Sequence, residues 1–192
     1  MINGRGGNDT IGGSGGRDLL NGNQGDDIVL GQGDEDVVWG GQGDDYVGGG
    51  PGDDWVLGDR GRDTVHGGFG NDWLWGGQDN DQLFGDAGND VLSGDRGDDT
   101  LWGGEGPDQF TFRDEGGQDR VADYDLMGDD VIRLEVGSDG LLNGVPFGSF
   151  ADILARMADG PDGVVLDLGG GSSVTIAGIF RNQLSADDFQ IV

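Results

Sequence analysis

An aspartate stands at every ninth position in the first part of the chain: Asp9, Asp18, Asp27, Asp36, Asp45, Asp54, Asp63, Asp72, Asp81, Asp90, Asp99 and Asp108. Glycine precedes each by five residues, from Gly4 to Gly103, and an apolar residue follows each by two, from Ile11 to Phe110. The unit is therefore G-x-x-G-x-D-x-U-x with U apolar, its positions numbered one to nine from the first glycine. Position four is glycine in ten of the twelve copies, and Asp34 and Asp79 fill the other two. Aspartate enters left-handed backbone more readily than most residues, so both are tolerable. A period this short and strict predicts stacked structural repeats.

Six residues rich in Gly, Asp and Asn predict a turn that needs positive φ, and three residues such as Asp27-Ile28-Val29 then run extended. A strand with one inward side chain cannot stand alone. Two units per coil predict an all-β chain, a flattened right-handed parallel β-roll with a sheet on either side and the U residues between them. Coils separated by about 4.8 Å place Asp9 under Asp27 and Asp18 under Asp36. The carboxylates then form two columns with up to ten gaps between successive members.

Composition matters at this point. The chain has 38 acidic residues against 10 basic ones, all Arg, for a formal charge of −28. Without a basic patch, neither nucleic acid nor an anionic lipid surface is an expected partner. Low hydrophobicity with high net charge would by itself describe a disordered chain, so order has to come from the period. Carboxylates about 5 Å apart repel by roughly 0.8 kcal/mol even in water, and a hard divalent cation in each gap would remove that cost. Ten such ions would cancel about twenty of the 28 net negative charges. Carboxylates together with carbonyls from flexible glycine turns suit Ca2+ better than Mg2+, which is smaller and holds its waters. Cysteine is absent, which excludes disulfides and thiolate metal sites. No apolar run approaches 18 residues and the first residues lack a leader pattern, so neither a membrane span nor an N-terminal export signal is expected.

These nonapeptides resemble the RTX, or haemolysin-type, calcium-binding repeat (G-G-x-G-x-D-x-U-x), the β-roll towards the C-terminus of proteins exported by bacterial type I secretion. The resemblance implies a secreted, extracellular protein that folds on Ca2+ and has the type I secretion machinery as a partner. It also implies that each ion lies between turns eighteen residues apart. The earlier turn would supply its Asp and the carbonyls of positions two and four, the later one its Asp and the carbonyls of positions one and three. Carried over, the first site is Arg5, Gly7 and Asp9 with Gly22, Gln24 and Asp27. The implied carbonyl donors further along include Gly25, Gly40, Gln42, Gly43, Gly58, Arg60, Gly61, Gly76, Gln78, Gly94 and Arg96. The turns of Asp34 and Asp79 depart from the pattern, and so do the sites they form with Asp54 and Asp99.

After Phe110 the period ends, and only 13 of the 45 glycines fall in the last 82 residues. A boundary near residue 112 is expected, with the roll over 1–112 and a β-rich cap carrying one short helix over 113–192. Gln109 to Phe112, Val131 to Val136, Val164 to Leu168 and Val174 to Ala177 read as strands. Ser149-x-x-Asp152 reads as the start of a helix to about Ala158 with Phe150, Ile153, Leu154 and Met157 on its apolar face. The stretch from Asp119 to Ile132 resembles the segment that follows the roll in this family, which implies one further Ca2+ through Asp123, Asp125 or Asp129. An EF-hand is excluded because Met127 and Leu134 occupy positions five and twelve, where oxygen ligands belong. The end, Leu184 to Val192, is similar to the uncleaved type I secretion signals of these proteins.

Catalysis is not expected of this chain. Gly12-Gly13-Ser14-Gly15-Gly16 matches the G-x-S-x-G nucleophile pattern but lies in a repeat turn, His66 is the only histidine, and no H-E-x-x-H zinc motif occurs. One feature exceeds what a scaffold needs. Outward positions of the even units carry Leu19, Val37, Trp39, Trp55, Leu57, Trp73, Trp75 and Val91, an apolar stripe on one sheet, whereas the odd units are more mixed, with Thr10, Tyr46, Thr64, His66 and Gln82. Three explanations stand open: the C-terminal segment covers the stripe, a missing N-terminal domain packs on it, or Trp39, Trp55, Trp73 and Trp75 bind a ligand. Sugar rings stacked on Trp are the sharpest version of the last, which makes a carbohydrate-binding module the alternative function. Outward Thr is too sparse for an ice-binding array.

Overall fold

The computed structural model describes residues 1–113, 116–138 and 140–192. After β1 (Ile2–Asn3), ten strands of six residues follow one another at the repeat period. They are β2 (Thr10–Gly15), β3 (Leu19–Gln24), β4 (Ile28–Gly33), β5 (Val37–Gln42), β6 (Tyr46–Pro51), β7 (Trp55–Arg60), β8 (Thr64–Phe69), β9 (Trp73–Gln78), β10 (Gln82–Ala87) and β11 (Val91–Arg96). Odd and even strands separate into two parallel sheets, β1-β3-β5-β7-β9-β11 and β12-β10-β8-β6-β4-β2, where β12 is Thr100–Trp102. Two units make one coil, and the molecule is a parallel β-solenoid of about seven turns.

The strands are twice as long as the sequence suggests, because each continues through positions one to three of the next unit. Ladder pairing holds along this stretch, as in Asn21↔Trp39 followed by Asn23↔Gly41. The turn proper shrinks to positions four to six. Position two nevertheless has left-handed backbone, at φ 83° in Ser14, 75° in Asn23, 85° in Gln32, 79° in Asp59, 72° in Asp86 and 67° in Asp95. That accounts for the small and polar residues there. Position four is left-handed too, and Asp34 and Asp79 occupy it at φ 70° and 75°.

The U residues stack in two buried columns. One runs Leu20, Val38, Val56, Leu74, Leu92 and Phe110; the other runs Ile11, Val29, Val47, Val65, Leu83 and Leu101. Both columns pass residue 112 without a break. Beyond it lie β13 (Gln109–Phe112), β14 (Gln118–Val121) and β15 (Val131–Leu134), with β14 a strand the sequence did not announce. Val121 stacks on Leu101 and Ile132 on Phe110 in the same parallel register.

The remaining elements close the upper end. A short hairpin of β16 (Leu141–Leu142) and β17 (Val145–Pro146) precedes the helix α1 (Phe150–Ala155), capped by the Ser149 hydroxyl. The helix stops three residues short of the expected Ala158, because β18 (Met157–Asp159) pairs antiparallel with β19 (Gly163–Gly169). The strand β20 (Ser172–Ala177) then docks parallel on β14, and β21 (Phe189–Ile191) docks on β15. The secretion-signal-like end is thus the last strand of one sheet, with Leu184 and Phe189 buried. Among the described residues, no helix is long and apolar enough to cross a membrane.

Candidate metal centre

Each repeat Asp sits at the mouth of a turn, where its two carboxylate oxygens have different fates. From Asp27 to Asp108, Oδ1 accepts the backbone N–H of the Asp eighteen residues earlier at 2.7 to 2.9 Å. In these same ten residues Oδ2 is buried and has no hydrogen-bond partner. Burying an ionised oxygen uncompensated is costly, so ten in register mark a missing positive charge. Asp9 and Asp18, in the first coil, are more exposed, and Asp9 Oδ2 accepts the N–H of Arg5 at 3.1 Å.

The position-one glycine has a steric reason to be glycine. A Cβ on Gly22 would collide with Asp27 Oδ2 and with the carbonyl of Gly40, the position-one residue of the next coil in the column. The same clash with carboxylate and carbonyl recurs at Gly31, Gly40, Gly58, Gly67, Gly76 and Gly85. An orphaned carboxylate oxygen and a carbonyl therefore converge on one point beside each of these seven glycines. Among the described residues no three acidic or histidine side chains come together, so a cation there would take most of its donors from backbone carbonyls. A hard, high-coordination cation fits that donor set, and the residues present fit Ca2+. The implied donors Gly7, Gly25, Gly43 and Gly61 lie at position four, where the N–H of each is bonded to the position-three carbonyl of the next coil, at Gln24, Gln42, Arg60 and Gln78.

Burial makes these carboxyls hard to ionise in the metal-free fold, with neighbouring carboxylates adding to the effect and the Oδ1 hydrogen bond opposing it. Desolvation pushes Asp45, Asp54 and Asp99 up to about 6, Asp63, Asp72 and Asp108 to about 7, Asp90 to about 8 and Asp81 to about 9.

The match to a family model is what names this arrangement: RTX calcium-binding nonapeptide repeats, in four copies, over residues 1–20, 12–47, 48–83 and 75–110. The chain belongs to the RTX calcium-binding repeat family. A comparison with curated proteins finds no match. Among solved structures, the RTX chain is similar to the AlgE6R3 subunit of the mannuronan C5-epimerase of Azotobacter vinelandii. The two are 32% identical over 70% of this chain and 78% of that one, with a TM-score of 0.47. It is also similar to the extracellular lipase LipA of Serratia marcescens, 20% identical with a TM-score of 0.42, over 98% of this chain and 39% of the lipase. RTX nonapeptides bind calcium, which is the ion the donor set favours.

The RTX departures have visible consequences. Asp34 takes the N–H of Gly16 on its own carboxylate at 2.9 Å, a bond that its side chain supplies and a glycine could not. Position five carries a second ladder: Asn8, Asp26 and Asp44 accept the position-five N–H of the next coil, from Asp26, Asp44 and Arg62, at 3.0 to 3.1 Å. Of the three further candidates, Asp123 accepts the N–H groups of Gly103 and Gly104 at 2.9 and 3.1 Å, Asp125 accepts that of Met127 at 2.8 Å, and Asp129 lies exposed at φ 64°. Two others were missed. Asp119 and Asp130, each 5% exposed, continue the two Asp columns; their only sequence signal is the pair D-x-U at Val121 and Ile132, outside the nine-residue period.

The apolar stripe lies on the sheet of odd-numbered strands, with Trp55 50% and Trp73 38% exposed, while Trp39 and Trp75 are half-buried. Trp55 lies 5.7 Å from Trp73 and 5.6 Å from Trp75 between ring centres. The other face is more aromatic than its first outward row suggests, since His66, Phe84 and Trp102 stack at 4.5 Å each. His66 Nδ1 lies 2.9 Å from Asp86 Oδ2, as in a catalytic triad, and Ser14 shares a pocket of about 570 Å³ with both. Ser14 is nevertheless three strands from the strand of His66, about 14 Å at the usual spacing. Ser14 is therefore out of reach of the pair.

Proposed function

We propose that this chain is a calcium-gated folding module of an extracellular protein, one that performs no chemistry itself. The observation that carries the reading is the set of ten buried, unpartnered Oδ2 atoms in two columns. Up to ten Ca2+ ions, one for each gap between the twelve repeat aspartates, bind the carboxylates together with the position-one to position-four carbonyls of facing turns. Without calcium the negative charge keeps the chain unfolded and fit for export by a type I secretion system. Outside the cell calcium binds only the folded state and draws the chain into it by mass action. The C-terminal strand β21 is then free for a secretion machinery only before folding.

The test is a far-UV circular dichroism titration of the chelated chain with CaCl2, with MgCl2 as control. A cooperative coil-to-β transition with Ca2+ alone is the expected result. A chain already folded in chelator removes the gating role.

A second reading is favoured by one observation, the exposure of Trp55 and Trp73 beside a pocket of about 330 Å³ that Trp55, Leu57, Asp59, Trp75, Asp95 and Arg113 line. Here the calcium-loaded roll presents aromatic faces to a glycan. Oligosaccharides that leave tryptophan fluorescence unchanged after calcium saturation would remove it.

A further inference from the structure

We propose that Asp119 and Asp130 close two further divalent-cation sites, one with Asp99 and one with Asp108, at the junction between the nonapeptide array and the C-terminal closure. The inference rests on the calcium reading above and extends it beyond the array.

Two independent observations lead there. The first is the repeat of the column contact. Asp119 Oδ1 accepts the N–H of Asp99 at 3.1 Å and Asp130 Oδ1 accepts that of Asp108 at 2.9 Å, the same bond that joins every pair below. The steps from Asp108 to Asp119 and on to Asp130 are each eleven residues, which hides both from a nine-residue search. The glycine turn is rebuilt as well. Gly97 N–H bonds the carbonyl of Gly116 at 2.9 Å, and Gly117, at φ 138°, takes the position-four place above it.

The second observation concerns Asp99 and Asp108 themselves. Both are the last of their columns within the nonapeptides, yet both keep a buried Oδ2 without a partner. Lower in the roll, this oxygen and the carbonyl of the following coil converge on one gap. For these two residues the following coils are those of Asp119 and Asp130, so the unmet charge extends two gaps past the end of the period.

Asp123 stands outside the two columns, since its oxygens hold the N–H groups of Gly103 and Gly104 and not that of a repeat Asp; Asp130 keeps its column bond through Oδ1 while its Oδ2 takes the N–H of Asp125 at 2.7 Å. Asp123 fastens the turn instead. The Tyr124 hydroxyl then bonds the Asp130 carbonyl at 2.6 Å and reaches the Asp188 carboxylate at 3.2 Å, which ties the upper site to the end of the chain. A cation between Asp108 and Asp130 would thereby make docking of the C-terminal strands depend on calcium.

The test uses the full chain with Asp119→Asn, Asp130→Asn and the double variant, with Asp81→Asn as a control inside the array. Native mass spectrometry in calcium counts ions on compact molecules, and hydrogen exchange reports protection of residues 163–177. Each single variant is expected to lose one ion and the double variant two. The double variant is also expected to lose the calcium-induced protection of 163–177, which the control retains. Variants that keep the parent's ion count and protection overturn this inference alone. A parent that binds no calcium overturns it together with the calcium reading.

Discussion

Asp81 accepts the backbone N–H of Asp63 at 2.8 Å through one carboxylate oxygen and turns the other, buried and unpartnered, into the space beside Gly76 that the Gly94 carbonyl also faces. Its charge is therefore a cost without a cation and an asset with one. Asp81→Asn keeps the acceptor for Asp63 and deletes the charge. In saturating calcium the variant is expected to lose one ion and about 2.7 kcal/mol at a hundredfold excess over Kd. In chelator it loses nothing, because repulsion along the column falls. Urea melts in calcium check the loss and far-UV circular dichroism in chelator checks that the variant is no less structured than the parent; a calcium melt that matches the parent's would show that the charge of this carboxylate is not used.

Acid is expected to substitute partly for calcium. The eight repeat carboxyls from Asp45 to Asp108 are raised to between about 6 and about 9 in the fold, whereas an unfolded Asp titrates near ~3.9. The folded chain then binds more protons across that interval, so metal-free stability is fully present below the unfolded value and is lost as pH rises through the folded ones. Circular dichroism in chelator from pH 4 to pH 9 should show β-structure at the acid end and its loss towards the alkaline end. Calcium affinity should rise over the same range. A flat profile would contradict the burial of these groups.

Gly58 and Gly6 make a matched pair. A Cβ on Gly58 would meet Asp63 Oδ2 and the Gly76 carbonyl, whereas one on Gly6 would meet nothing within 4 Å. Gly58→Ala is expected to cost about 1 to 3 kcal/mol, the usual range for overpacking, and to lower calcium stoichiometry by one. Gly6→Ala should stay within about 0.5 kcal/mol. Thermal melts in calcium with parallel ion counting separate the two.

Trp55 packs on Trp73 and Trp75 from the outside of the sheet. A near-ultraviolet dichroism band from the coupled indoles should therefore appear with calcium and vanish in Trp55→Ala. Trp55 is half exposed, at 50%, so the variant should keep its far-UV calcium transition. Loss of that transition would make the stripe part of the fold rather than an appended surface.

The roll was legible because one backbone device repeats, and each part of the device leaves a letter. Asp marks the carboxylate bonded to the coil below, U the inward side chain, and the position-one glycine the point where carboxylate and carbonyl converge. Strand length was not legible, since glycine discourages strands by its local propensity and only pairing with the next coil holds Gly22 or Gly40 extended. Asp119 and Asp130 escaped because eleven-residue steps break the letter pattern while preserving the bond. The His66, Phe84 and Trp102 stack escaped for another reason: these residues look unrelated in sequence until an eighteen-residue offset places them on one face.

Because the bonds that join coils span eighteen residues, from Asp63 to Asp81 as from Asp9 to Asp27, the molecule is graduated like a ruler. Excising residues 37–54 would remove one whole graduation and return every later strand to its own sheet. Removing only nine would send each later strand to the opposite sheet and present the closure with its two faces exchanged. The length of such a chain is thus free to vary only in whole coils.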